Sequence, residues 1–231
     1  MVKATTFDIE YAGLMSHNPD GIYLYIPPTF TNFHPGSVGF FDESGSWNKI
    51  TNLCKRGQTH TDGYTALGRN LNYDEPKTST WKPRSSGSKD GQHAWSEGGV
   101  SAAVPVDVNG EDKQTASASK KAGLVTGGLV KREKISAPFG KPVARWADEN
   151  AKKFLASDFS SHIEKNGLWV IQSTWVAGEC AIHMANTSDK QLDVGLDIAT
   201  TGGGSDTFDK LKDEGWSAYQ AQGVSASILS R

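Results

Sequence analysis

Eighteen consecutive residues, Leu168 to Ala185, form a β-type run broken only by Gly178 and Glu179. The run is rich in Trp, Val and Ile and has no helical stripe, so it reads as one long strand. A turn is expected at Asn186 to Lys190. Gln191 to Thr200 then alternates, with Leu192, Val194, Leu196 and Ile198 against Gln191, Asp193, Gly195 and Asp197. Together these segments read as a long hairpin. Earlier in the chain Val100, Ala102, Val104, Val106 and Val108 alternate with Ser101, Ala103, Pro105 and Asp107. Asn109-Gly110-Glu111-Asp112 supplies a turn, and a return strand starts near Thr115 and becomes apolar at Leu124-Val125 and Leu129-Val130. Pro105 disfavours a central ladder position, because proline has no N–H to donate, and points to an edge or a weakly paired strand.

The rest of the chain supports these hairpins. Thr5 to Met15 fits an edge strand or a short helix, and Asn18-Pro19-Asp20-Gly21 is a turn signal. Val38 to Phe41 and Trp47 to Leu53 read as strands joined at Asp42-Glu43-Ser44-Gly45. Residues Pro76 to Gln92 are polar and rich in Gly, Ser and Lys, and read as an exposed loop. Val143, Trp146, Ala147, Ala151, Phe154 and Leu155 recur at three- and four-residue steps, which predicts an amphipathic helix with Pro142 in its first turn. Short helices are expected over Asp158 to Lys165 and over Asp206 to Glu214, the latter capped by Asp206. Trp216 to Leu229 reads as a last strand. The expected fold class is α+β, a twisted antiparallel sheet with two long hairpins and a few packed helices, as a single domain over residues 1–231.

Composition excludes several functions. The net charge is −2, which speaks against nucleic acid as a partner. Two cysteines, Cys54 and Cys180, build no disulfide scaffold, and the six histidines have no zinc-like spacing. Neither a Gly-x-Ser-x-Gly elbow nor a phosphate-binding Gly-rich loop with its lysine occurs. The expectation is a protein that is not an enzyme and needs no cofactor or metal. Cys180, in a strand pattern, reads as a buried thiol and His183 as structural. Met1 to Asp20 lack a basic start followed by an apolar run, which makes the cytoplasm the expected location.

The average charge hides a split. From Lys113 to Lys153 there are ten basic and three acidic residues, a net of +7, while Asp158 to Glu214 carries ten acidic residues and four lysines, a net of −6. The basic cluster Lys120, Lys121, Lys131, Arg132 and Lys134 flanks the end of the first hairpin. Near an anionic lipid leaflet each such residue contributes about 1 kcal/mol. A strand of about ten residues rises about 33 Å, enough to cross a bilayer core of about 30 Å. The hairpins therefore fit two readings: ordinary hairpins of a soluble domain, or membrane strands that a ring of subunits closes into a barrel.

The order of parts resembles the pore-forming domain of gasdermins, most of all the short fungal homologues that control heterokaryon-incompatibility cell death. The resemblance runs from Gly21 onward through "GSWNKITNLC", "GGVSAAVPVDVNGEDKQTASASKKAGLV", "VARWADENAKKFL", "GLWVIQSTWVAGECAIHMA" and "QLDVGLDIAT". It implies a cell-death effector that binds acidic phospholipids, forms homo-oligomers or hetero-oligomers with a variant of the same family, and moves from cytoplasm to plasma membrane. It implies lipid contact at Lys120, Lys121, Lys131, Arg132 and Lys134. The membrane strands would carry Val100, Ala102, Val104, Val106 and Val108, then Val170, Val176 and Ile182, then Leu192, Val194, Leu196 and Ile198. The chain departs from the family in having no large C-terminal inhibitory domain, which favours activation by a variant partner over proteolysis. The alternative is a soluble β-rich protein- or carbohydrate-binding module using exposed Trp residues such as Trp81 or Trp95.

Overall fold

The computed structural model describes residues 7–18, 20–86, 120–186, 195–199 and 206–230. Its axis is the strand β8 (Trp169–Asn186), eighteen residues and about 60 Å long. One edge of β8 pairs antiparallel with β9 (Ser217–Ser230), from Trp169↔Ser230 to Ile182↔Ser217. Two register shifts, between Ile171 and Ser173 and between Trp175 and Val176, break this ladder. Such irregularities let so long a ribbon bend and twist.

The other edge of β8 is shared end to end by three strands. Near Trp169 it pairs with β2 (Ser37–Phe41), which in turn pairs with β3 (Trp47–Asn52). Further along it pairs with β7 (Leu129–Lys134), and then with β6 (Lys120–Gly127) as far as Lys120↔Asn186. Gly128 sits between β6 and β7 at φ 62°, a left-handed backbone that glycine adopts without strain. β4 (Lys77–Thr80) adds to β7, β5 (Arg84–Ser85) to β6, and β1 (Ile22–Tyr23) to β9. The fold is α+β, and every strand pairing among the described residues is antiparallel.

Strand alternation splits the core between the two faces. Ala122 and Leu124 of β6 pack with Cys180 and Ile182 of β8 against Tyr11 and Met15, on and just after α1 (Phe7–Leu14). On the opposite face Val125 and Ala181 pack with Phe208, Leu211 and Trp216, the first two from α5 (Thr207–Asp213). At the other end of β8, Val170 and Val38 carry α3 (Gly140–Leu155) through Val143, Trp146 and Phe154, beside α4 (Ser160–Asn166). Ile171 packs on the reverse side with Leu24 and Phe33. Burying a large apolar side chain of this kind contributes about 1.5–3 kcal/mol.

Polar groups finish the α3 contact. The indole of Trp146 donates to the Thr65 carbonyl at 2.7 Å. Asn150, fully buried, accepts from the Thr65 amide at 2.8 Å and donates to the Thr65 hydroxyl and the Trp146 carbonyl. These bonds tie α3 to the loop after the short helix α2 (Gln58–Thr61). A buried Asn with this many partners meets the requirement that buried polar groups be hydrogen-bonded.

Three expectations need correction. Within the expected exposed loop, residues 77–80 and 84–85 are strands, β4 and β5, that dock on β7 and β6, while β4 itself is mostly exposed; residues 87–92 lie outside the described residues. Residues 195–199 are helical, and the ladder position expected for 191–200 beside β8 is held by β9. Leu196 and Ile198 instead pack against the cluster of Phe208, Leu211 and Trp216. Asp206 occupies the N-cap of α5 but makes no side-chain cap hydrogen bond.

Candidate functional site

Two long stretches, 87–119 and 187–205, attach to one end of the sheet. The first departs after Ser86, whose amide donates to the Ala122 carbonyl at 2.9 Å, and returns at Lys120. Lys120 is the register partner of Asn186, the last residue of β8, where the second stretch departs. That second stretch returns through α5 to Ser217, opposite Ile182. The attachment points Lys120 and Asn186 are thus neighbours on adjacent strands, although they lie far apart in the chain.

The five expected basic residues divide by strand parity. Lys120 forms an ion pair with Glu10 at 2.8 Å, so that charge is already answered by α1. Lys121, the next residue, points to the opposite face. Lys131 is exposed and pairs with Glu133 on its own strand at 2.7 Å. Arg132 lies half-buried with its guanidinium 5.3 Å from the Trp175 ring centroid, and its Nε is buried without a hydrogen-bond partner among the described residues. Lys134 is half-buried on the face of Arg132, and Lys77 of β4 stands opposite Arg132 in the ladder. The structure therefore presents two basic groups, 120–121 at the sheet end and 131–134 midway along β8, rather than one patch.

The expected hairpin positions also divide. Val100, Ala102, Val104, Val106 and Val108 lie outside the described residues, as do Leu192 and Val194. Ile182 is buried in the α1 cluster close to the attachment points. Val176 is half-buried midway along β8, opposite Lys131. Val170 is buried at the far end of β8, under α3.

Residues that carry no local sequence signal assemble at the same end. Tyr11 is buried and its hydroxyl donates to the Gly123 carbonyl at 3.1 Å. Arg84 forms an ion pair with Asp20, donates to the Tyr23 hydroxyl, and stacks its guanidinium 3.9 Å from the Trp81 ring centroid. Burial holds both tyrosine hydroxyls well above the usual phenol range, so they stay protonated donors. Trp81 is buried, which removes it as an exposed recognition residue, and Trp95 lies outside the described residues. Burial also pushes the Cys180 thiol up to about 12, and Cys180 is fully buried beside the α1 cluster. A thiol so placed is not a thiolate near neutral pH.

Below this end, His183 stacks on Trp216 with ring centroids 5.3 Å apart. Trp216 also fills the space where a side chain at Gly195 would stand. Among the described residues no cluster of His, Cys, Asp and Glu has metal-holding geometry, and no helix is long and apolar enough to cross a membrane. Comparison of the chain with protein-family models, curated proteins and solved structures finds no match.

Proposed function

We propose that this protein is a membrane pore-forming cell-death effector, similar in action to gasdermin pore-forming domains. In this reading it binds acidic phospholipids, assembles with copies or variants of itself, and redeploys two segments of each subunit as walls of a β-barrel. The observation that supports it is the shared attachment of stretches 87–119 and 187–205 to the neighbouring strand ends at Lys120 and Asn186. Both stretches contain the sequence alternation that a membrane strand needs. Starting from paired strand ends, they extend β6 and β8 without a new register having to be found. About nine residues, 100–108, cover about 30 Å of hydrocarbon as a strand.

The helical turn 195–199 gives the reading a physical cost. Leu196 and Ile198 must leave the Phe208–Leu211–Trp216 cluster before they can form a strand. Membrane burial of the same side chains and ladder pairing with the next subunit offset that loss, since lipid tolerates no open sheet edge. A single subunit has no such partner, so insertion and assembly are coupled.

Dye release tests the reading. Vesicles containing phosphatidylserine leak when the protein is added, alone or with a variant partner, whereas phosphatidylcholine vesicles stay sealed. If acidic vesicles stay sealed under all these conditions, the protein is not a pore former.

A further inference from the structure

The stretch 87–119 is bracketed by β5 on one side and β6 on the other, and both brackets are gripped by one short piece of chain. Residues 10–23 supply every contact of the grip. Glu10 pairs with Lys120, the first residue of β6, at 2.8 Å. The Tyr11 hydroxyl donates to the Gly123 carbonyl of β6 at 3.1 Å. His17 Nε2 lies 3.0 Å from the Ser85 carbonyl of β5, and since a carbonyl only accepts, the imidazole nitrogen is the donor. Asp20 pairs with Arg84 of β5, and Tyr23 accepts from the same guanidinium. Asn18 stiffens the connection by donating to the Met15 carbonyl at 3.1 Å.

These contacts share a character. Each is polar, and two reach backbone carbonyls of the bracketing strands rather than side chains. The two ion pairs are partly exposed, with side chains 18–32% accessible. These polar contacts frame an apolar one, because Tyr11, Met15 and Tyr23 of the same piece of chain are fully buried with Ala122 and Leu124 of β6, so release of the grip has to open that cluster as well. β5 itself has only two residues and among the described residues pairs only with β6; besides this grip it is held by the stacking of Arg84 on Trp81 and by the bonds of Ser86 to Ala122.

We propose that α1 and the turn after it form a clasp that holds β5 and the start of β6 on the sheet. Opening of this clasp is the step that frees the bracketed stretch for insertion. The inference rests on the pore reading for its consequence, but the clasp can be measured without any membrane. Its release also frees Lys120 from Glu10, so a positive charge becomes available at the sheet end at the moment the strands let go.

Tyr11→Phe is the test, because it deletes one hydrogen bond without changing charge or shape. Losing one such bond corresponds to a change of about fivefold in an opening equilibrium. In buffer, amide hydrogen exchange over residues 120–124 should quicken about fivefold while exchange over α3 stays unchanged. On phosphatidylserine vesicles the leakage half-time should shorten by a similar factor. His17→Leu, which removes the grip on Ser85, should shift both readouts in the same direction. Unchanged exchange at 120–124, or an equal quickening across α3, overturns the clasp. Faster exchange with unchanged leakage overturns its place as the controlling step. If the unmodified protein releases no dye from acidic vesicles, the pore reading fails, and the exchange data in buffer still decide whether the clasp exists.

Discussion

Gly195 has no side chain, and Trp216 occupies the space where one would stand. In an ordinary helical position, replacing glycine by alanine adds about 1 kcal/mol of stability. Here the sign reverses, because a methyl group has to displace an indole that is already stacked on His183. Gly195→Ala should lower the stability by about 1–3 kcal/mol, read by thermal or denaturant unfolding; a gain would show that 195–199 does not dock on Trp216. His34 makes a second prediction at this scale. Burial lowers its pKa below 6.5, with Lys49 and Lys55 acting in the same direction and the Pro35 carbonyl and Glu133 opposing. The native state therefore binds a proton less readily than the unfolded chain, and stability rises with pH in this range. His34's contribution is fully present above about pH 6.5 and is lost as pH falls through that value towards the lower folded pKa. Between about pH 7.5 and about pH 5.5 the unmodified protein should lose more stability than His34→Gln does. Equal slopes would contradict this origin. Neither Gly195 nor His34 was legible in the sequence, since the partners that give them meaning come from other parts of the fold.

At the scale of elements, β7 separates two basic neighbours that look equivalent in sequence. Lys131 is exposed and its pair with Glu133 adds little stability, as surface ion pairs do. Arg132 lies over Trp175, a contact that contributes about 0.5–1 kcal/mol. Lys131→Glu should weaken binding to acidic vesicles and leave the melting temperature unchanged. Arg132→Glu should weaken binding and also lower the melting temperature. If both variants melt like the unmodified protein, Arg132 does not pack on the ring.

The strands β2, β3, β8 and β9 and the helices α3, α4 and α5 were readable, because their patterns repeat over several residues. α1 was left open between strand and helix. β4, with the sequence Lys-Thr-Ser-Thr, has no apolar alternation and becomes a strand through its pairing with β7. The alternation at 191–200 was misleading for a related reason. β9 occupies the edge of β8 where those residues were expected, and Leu196 and Ile198 find apolar partners in the α5 cluster. The five basic positions were legible as charges. Their division between Lys120, held by Glu10, and Arg132, held over Trp175, depended on contacts more than forty residues apart.

At the scale of the molecule, the chain builds one long sheet whose helices sit on both faces, and two alternating stretches are anchored at one end of it. The acidic and basic segments leave a net charge of only −2, so in the proposed pore reading the attraction to an acidic leaflet has to be local. Vesicle binding should accordingly fall steeply between about 0.05 M and about 0.5 M salt, as the Debye length shrinks below the spacing of surface charges. Salt-independent binding would place the affinity in apolar contacts instead. The proposed conversion of residues 100–108 into a membrane strand has a direct readout. Single cysteines placed in turn at Ala102, Ala103, Val104, Pro105 and Val106, with Cys54 replaced by alanine and Cys180 buried, can carry an environment-sensitive fluorophore. On phosphatidylserine vesicles the emission should shift to the blue with a period of two, at 102, 104 and 106 but not at 103 and 105. A uniform response along the stretch, or no change from buffer to vesicle, contradicts it.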